Sequence, residues 1–586
     1  MKKVAGPHLG LRSRSPARAV GALARLLAAA AAPALAVAIA GSFGLAAQGC
    51  ADENDPKTWA KRLDDPAQRS PAVKRLDEMF GAAMGNASNN RDDPKVKAVI
   101  DDTIDPLVKA YTTPAGGPLD DKTRKDLIKL IQDMGDPRAG SAFAKAFKEF
   151  EPGKSDEDVK FAAQGTTRLA TSGKLKDQAL IDALWECFAK FRPSKVKSIQ
   201  LVQSMGDAVK TVKDPSYGPK AVALLNAPGL TDPKDPSQNV DHIQFWGQIA
   251  VQLIGDAKYT AGVKQLVMVL MTPTKQDLTL PVRKALHNMS KEAEPALISA
   301  LKGEGDFQKL AESYPERGYL PLVAEPLAYI SRPAGRDAII EQVANAKTDQ
   351  NLTMLALYLT YFPAEAKLVK AFIDAYGKIP PNAAIAGLGG ANGRSALTGA
   401  AAHFFDPTLT PWILKEVADA KGDAQFSMPA SGLPAAMKLM LPDQKKAVGD
   451  AVEKIPGQAV EKDMFKASSA VLDKCQKDVS CYLGVLDTPV PSAPPAAKMG
   501  HIKSVWMAAV LGNAETRAKL LALVEKVKDG SLRLGLLEAI DHLSPQGDAA
   551  AADKLEKLVN SDRAAGNKVG TDEMYRIALK LRSRVP

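Results

Sequence analysis

The sequence predicts an all-α protein, an α-solenoid of stacked helix pairs. Three observations lead there. Hydrophobic residues recur at helical spacing almost throughout. Aromatic residues make up only 5% of the 586-residue chain, while alanine is abundant. One short phrase, an apolar helix followed by Gly-Asp or Gly-Asn and a second amphipathic helix, returns several times. Small side chains let helices approach closely, and strand-like alternation over five or more residues is scarce, which argues against a large β-domain.

The first fifty residues stand apart. Lys2, Lys3, Arg12, Arg14, Arg18 and Arg25 precede a long uncharged run, and no acidic residue occurs before Asp52. A basic start, an apolar stretch and small residues before a break are the parts of an export signal. The run stops at Cys50, and the polar "ADENDPKT" comes at once after it. With Ala47 and Gly49 before the cysteine, residues 1–49 resemble a bacterial lipoprotein signal. That resemblance implies that Cys50 is lipidated and becomes the mature N-terminus, with residues 50–57 as a polar tether. An uncleaved membrane anchor and a soluble exported protein are the alternatives. Each of the three carries the bulk of the chain out of the cytoplasm. The expected location is the bacterial cell envelope, lipid-anchored and facing the periplasm or exterior.

Removing this segment changes the charge reading. The formal charge is +10, but six of the 77 basic residues precede Cys50, so 71 remain against 67 acids, a net +4. No dense Lys/Arg block with interleaved aromatics occurs, so nucleic acid is not an expected partner.

Residues 58–487 carry the helical pattern. In "RKDLIKLIQDMGDP", Leu127, Ile128, Leu130, Ile131 and Met134 share one helical face and Gly135 stops the helix. The same phrase appears as "LVQSMGDAVKTV" and "VQLIGDAKYTAGVKQLV", and late in the chain as "AVLGNAETRAKLLALV". Glycine is read as the left-handed helix stop and Asp or Asn as the next cap. In "VRKALHNMSKEAEPALISALKG", Pro295 is expected to open the second helix. The turn at 135–139, the "EPALISALKG" stretch and the Asp65-Pro66 start of a second helix resemble HEAT repeats. The resemblance implies helix pairs of about 40 to 45 residues with a continuous core and a long surface that binds proteins. The Gly-Asp connectors at 135, 206 and 255 are 71 and 49 residues apart, so the period is not uniform.

Cys475 and Cys481 stand six apart, in a compartment where neighbouring thiols pair. A continuous helix would point them apart, so a disulfide requires a turn near Asp478 and Ser480. Two free thiols or a metal pair are the alternatives. Cys187, among helix-spaced apolar residues, reads as a buried thiol. Residues 488–500, "TPVPSAPPAAKMG", read as a Pro-rich connector, and 501–586 as a C-terminal HEAT-like block.

No motif assigns chemistry. His242, His287, His403, His501 and His542 are dispersed, with no H-E-x-x-H. His287 and His542 fit helix ends. The glycine-rich "AIAGLGGANGRSALTG", 384 to 399, lacks the spacing and the preceding strand of a phosphate loop and reads as a helix connector. The sequence therefore predicts no catalytic residue, no metal and no cofactor. It predicts a membrane-tethered, non-enzymatic scaffold that binds other proteins. The competing expectation is an exported enzyme whose site is assembled from scattered residues around His242 or the 384–399 loop, marked by a pocket where polar side chains converge.

Overall fold

A computed structural model describes residues 52–585, apart from 228–229, 231–238, 316–317, 423 and 456–458. Cys50 and the export segment lie outside the described residues. From Asn54 onward the chain forms one compact unit. It is almost wholly helical, with one two-residue hairpin, Ala384–Ile385 against Ala391–Asn392, as the β-structure among the described residues.

Local signals start most helices. Asp55, Asp65 and Asp93 each accept a bond from a backbone N–H two residues on, and each is followed by a proline at the first helical position. The carboxylate satisfies an orphan donor, worth about 1 kcal/mol, and the proline lacks a donor that would otherwise be orphaned. Asp120, Asp177, Asp529 and Asp548 cap later helices without a following proline, accepting from a backbone N–H two or three residues on.

Helices pack on their second neighbours along the chain. Pro66–Asn86 contacts Asp121–Met134, which contacts Asp156–Thr171, which contacts Ile199–Val212. This is the contact pattern of a helical-repeat solenoid, in which each pair buries its apolar face on the next. Polar ties cross between repeats at the expected spacing. Lys109 Nζ is 3.0 Å from Asp64, 45 residues away, and Tyr376 Oη donates to Glu416 at 2.7 Å, 40 residues away. Other ties span 29 residues (Arg336 to Glu365) to 50 residues (Lys275 to Leu225), so the repeats differ in length in the contacts as they do in the connectors.

The recurring Gly-Asp phrase has more than one structural meaning. Gly135 is a left-handed helix stop (φ 65°), and Asp136 caps the turn Pro137–Ala139. Gly206, by contrast, lies inside one unbroken helix, Ile199–Val212, and Asp207 pairs with Lys210 on its surface. Gly255 sits in the last turn of Gln248–Asp256, and the left-handed position is Lys258. These two glycines are helix-crossing points. A Cβ on Gly255 would lie 2.7 Å from the Ala285 Cβ, and one on Gly206 3.3 Å from Ile249 Cδ1. Pro295 also differs from expectation: its helix, Ser290–Lys302, begins a full turn earlier. The preceding residue, Glu294, is buried and accepts from Arg332 Nε (2.8 Å) and Gly335 N (3.0 Å), locking that helix to Pro333–Asn345. The Pro-rich stretch gives way to a 3₁₀ turn at Pro495–Lys498, and the helix Met499–Leu511 begins directly after it.

The chain then folds back on itself. Its last helix, Thr571–Arg584, packs on Tyr319–Ile330 and Ser290–Lys302. Arg332 donates to the Ser583 carbonyl (2.6 Å), Arg584 to Ser331 Oγ (2.6 Å) and Tyr575 to Asn288 Oδ1 (2.6 Å). These contacts join residues about 250 to 290 positions apart and turn the second half of the unit into a closed circuit of helices.

Candidate functional site

Cys50 lies outside the described residues; the other sequence-predicted residues each have a definite place. Cys475 and Cys481 are joined by a disulfide, with Cα atoms 5.3 Å apart. Cys475 ends one helix and Val479 begins the next; Gln476 takes a left-handed conformation between them, and Asp478 caps the second helix. Cys187 is buried, and burial pushes its thiol up to about 12, far from a reactive thiolate. His242 lies edge-on to Trp246, whose ring also meets the Arg192 guanidinium, 3.8 Å from the ring centroid, and whose Nε1 donates to the Phe188 carbonyl at 3.0 Å. His501 Nε2 is 3.2 Å from Thr488 Oγ1 and anchors the Pro-rich stretch. In the 384–399 loop, Asn392 caps the helix Gly393–Ala400, and Arg394 donates to the Ile379 carbonyl at 2.6 Å. The loop therefore connects and caps helices, as its spacing suggested. Leu388 of this loop lines a cavity with one charged wall, whereas His242 does not line it.

Two other features emerge. The first is a row of exposed apolar side chains at the starts of three helices that stack side by side, each separated from the next in sequence by another helix. Ile199 is 74% exposed, Val240 42% and Leu280 73%, and they stand 41 and 40 residues apart (199 to 240 to 280). Their helices are Ile199–Val212, the π-helical Asn239–Gly247 that continues into Gln248–Asp256, and Thr279–Asn288. The middle helix touches both others. At their far ends, Lys213, Asp256 and Asn288 line one common pocket, so all three helices run the same way. Their starts consequently share the opposite edge. Ser194 Oγ donates to Asp241 at 2.6 Å, which fixes the start of the middle helix beside the turn Pro193–Lys195.

The second feature is a cavity of about 430 Å³ inside the closed circuit. One wall comes from the helix Asp349–Leu359 and the turn at its end, which supply Tyr358, Tyr361 and Phe362, with Leu388 from the glycine-rich loop. Phe405 stands in a left-handed conformation (φ 53°), stacked between Trp506 at 5.2 Å and His542 at 4.6 Å. The opposite wall is charged. Gly530–His542 contributes Glu538 and Asp541, and Thr571–Arg584 contributes Glu573, Arg576 and Lys580. Helical spacing explains the grouping: 538 and 541–542, like 573, 576–577 and 580, fall on one face.

These charges are partnered unevenly. Asp541 pairs with Lys580 and lies 2.8 Å from Arg584 Nη1. Burial would raise its carboxyl, but Arg584 and Lys580 outweigh that and hold it below the usual range. Glu538 is 3.3 Å from His403 Nδ1, and Glu573 is 3.3 Å from Arg576. Glu573 is pushed up by burial, against Arg576 and Lys580, with Glu538 and Asp541 adding to the rise. Arg576 also donates to Tyr329 Oη at 2.8 Å. The sequence treated His403 and His542 as isolated. They are 139 residues apart (403 to 542), and tertiary packing brings His403 to Glu538 and His542 to Phe405.

Fold and sites together define an all-α helical-repeat protein. No family model matches the chain. Elongation factor 2 of Methanopyrus kandleri is 25% identical over 179 residues, covering 30% of this chain and 13% of that protein. The chain thus matches a small part of that relative's length, and no activity is assigned from it. Among solved structures, an engineered protein is similar over 90% of this chain and 98% of its own at 15% identity and a TM-score of 0.25. SYS-1 in its complex with POP-1 covers 91% of this chain and 100% of its own at 10% identity and a TM-score of 0.30. At these TM-scores the fold assignment rests on the chain's own helix packing.

Proposed function

We propose that this protein is a HEAT-like, lipid-tethered scaffold of the bacterial envelope, facing the periplasm or exterior, that binds other proteins without chemistry of its own. The observation that carries the binding reading is the row formed by Ile199, Val240 and Leu280. Each repeat positions one apolar side chain on the same edge, and a periodic apolar row exposed to water is a surface suited to a protein partner. The neighbouring Lys195 and Lys197 supply a polar rim of the kind that surrounds such contacts. The lipid tether is supported by the acid-free export segment, by Cys50 at its end, and by the first helix beginning at Pro56, a few residues later.

Two measurements test this reading. Mass spectrometry of the mature N-terminus should find a diacylglycerol-modified Cys50; an unmodified Cys50 in an intact chain refutes the anchor. Co-purification from envelope extracts should compare the natural chain with an Ile199→Glu, Leu280→Glu variant. Partners held by this edge are lost from the variant, because burying a carboxylate costs far more than the apolar contact contributes. An unchanged set of partners refutes the assignment of the surface.

A further inference from the structure

The interior cavity calls for a different kind of ligand. Its volume of about 430 Å³ lies in the range of small-molecule sites, which are mostly apolar with a few convergent polar groups. Three carboxylates line it, Glu538, Asp541 and Glu573, together with two cationic side chains, Arg576 and Lys580. Of these, Asp541 and Lys580 are committed to each other, and Arg584 backs them from behind. Glu538 and Glu573 have looser partners at 3.3 Å, longer than the roughly 2.7–2.9 Å of a tight charge-assisted bond. The facing wall of Tyr358, Tyr361, Phe362 and Phe405 is a surface for an apolar or aromatic group.

Charge decides the class. An anion alone would meet three carboxylates. A cation alone would meet Arg576 and Lys580. An uncharged apolar ligand would strip water from the loosely paired Glu538 and Glu573 without replacing its hydrogen bonds, which is costly. A ligand with a separated ammonium and carboxylate meets each requirement. Its ammonium faces Glu538 or Glu573, its carboxylate faces Arg576, and its side chain lies on the aromatic wall. We propose that this cavity binds a small zwitterion with an apolar side chain, an amino acid or a short peptide. Leu534, 40% exposed and lining the same cavity, marks its accessible side.

Isothermal titration of the full chain with L-phenylalanine and with L-alanyl-L-phenylalanine tests the proposal. At least one should bind with a dissociation constant below about 1 mM. Its N-acetylated and its C-amidated forms should each bind about tenfold more weakly or worse, since each removes one charge-assisted contact. Glu538→Gln or Glu573→Gln should weaken the zwitterion more than the N-acetylated form; if neither does, the proposal is overturned. Leu534→Trp, at a partly exposed position, should block entry while leaving the helical circular dichroism unchanged. No binding of either zwitterion overturns the proposal. So does equal binding of a capped form, or binding unaffected by Leu534→Trp.

Discussion

Replacing glycine by alanine at positions 135, 206 and 255 separates three roles that one sequence phrase conceals. At Gly206, inside a helix, alanine regains up to about 1 kcal/mol of backbone entropy. Its new Cβ meets Ile249 Cδ1 at 3.3 Å, the mobile end of a side chain that can move a few tenths of an ångström. The net effect is near zero to about 1 kcal/mol stabilising. At Gly255 the new Cβ would lie 2.7 Å from Ala285 Cβ and 2.8 Å from its Cα. Backbone cannot yield so cheaply, so the helices Gln248–Asp256 and Thr279–Asn288 must separate. Overpacking of this kind costs about 1–3 kcal/mol, which exceeds the propensity gain. At Gly135 the left-handed φ of 65° is the obstacle, at about 1–2 kcal/mol, with Arg168 Cδ only 2.9 Å away but able to swing aside. Urea unfolding monitored by circular dichroism ranks the three variants. Hydrogen exchange of the local helices assigns each effect to its repeat, because stability in a repeat array is local. Equal losses at 206 and 255 would refute the assignment of one as a tolerant crossing and the other as a tight one.

Two further expectations concern titration and the disulfide. Burial, with Arg576 and Arg283 nearby, lowers His287 to about 3, so the unfolded chain takes up this proton first as pH falls. The stabilising contribution is therefore complete above about pH 6.5 and declines towards pH 3, by about 2 kcal/mol at pH 5. His287→Phe should flatten the pH dependence of the urea midpoint over that window relative to the natural chain; parallel profiles would refute the role of His287. Reducing the Cys475–Cys481 bond opens a loop of sequence separation 6, worth about 2 kcal/mol on chain-entropy grounds. Hydrogen exchange at the ends of Ala459–Cys475 and Val479–Leu486 should rise on reduction, and unchanged exchange would show the turn to be held by packing instead.

Much of the helical architecture is legible in the sequence because helix faces, caps and stops are local. Leu127, Ile128, Leu130, Ile131 and Met134 are all buried, as their spacing requires. Gly135 and Asp136 behave as a stop and a cap because their neighbours in sequence are also their neighbours in space. Gly206 and Gly255 carry the same dipeptide and do not, because their reason for being glycine is a helix 30 or more residues away. Position 255 answers to Ala285 and position 206 to Ile249. Local sequence cannot distinguish a glycine that needs a positive φ from one that needs room.

The cavity was illegible for the same reason, at longer range. Glu538, Asp541, Arg576 and Lys580 look like ordinary surface charges at helical spacing, and His403 like an isolated imidazole. Composition, periodicity and the caps determined an all-α repeat chain, and the charge split gave no reason to expect a basic nucleic-acid surface. Tertiary structure decided that the last helix returns to Asn288 and Ser331, and so turned one charged helix face inward. The physical reason is that hydrophobic periodicity specifies which face of a helix is covered but not which helix covers it. That choice was made by shape and by a few polar contacts some 250 residues apart, including those of Ser583 and Arg584.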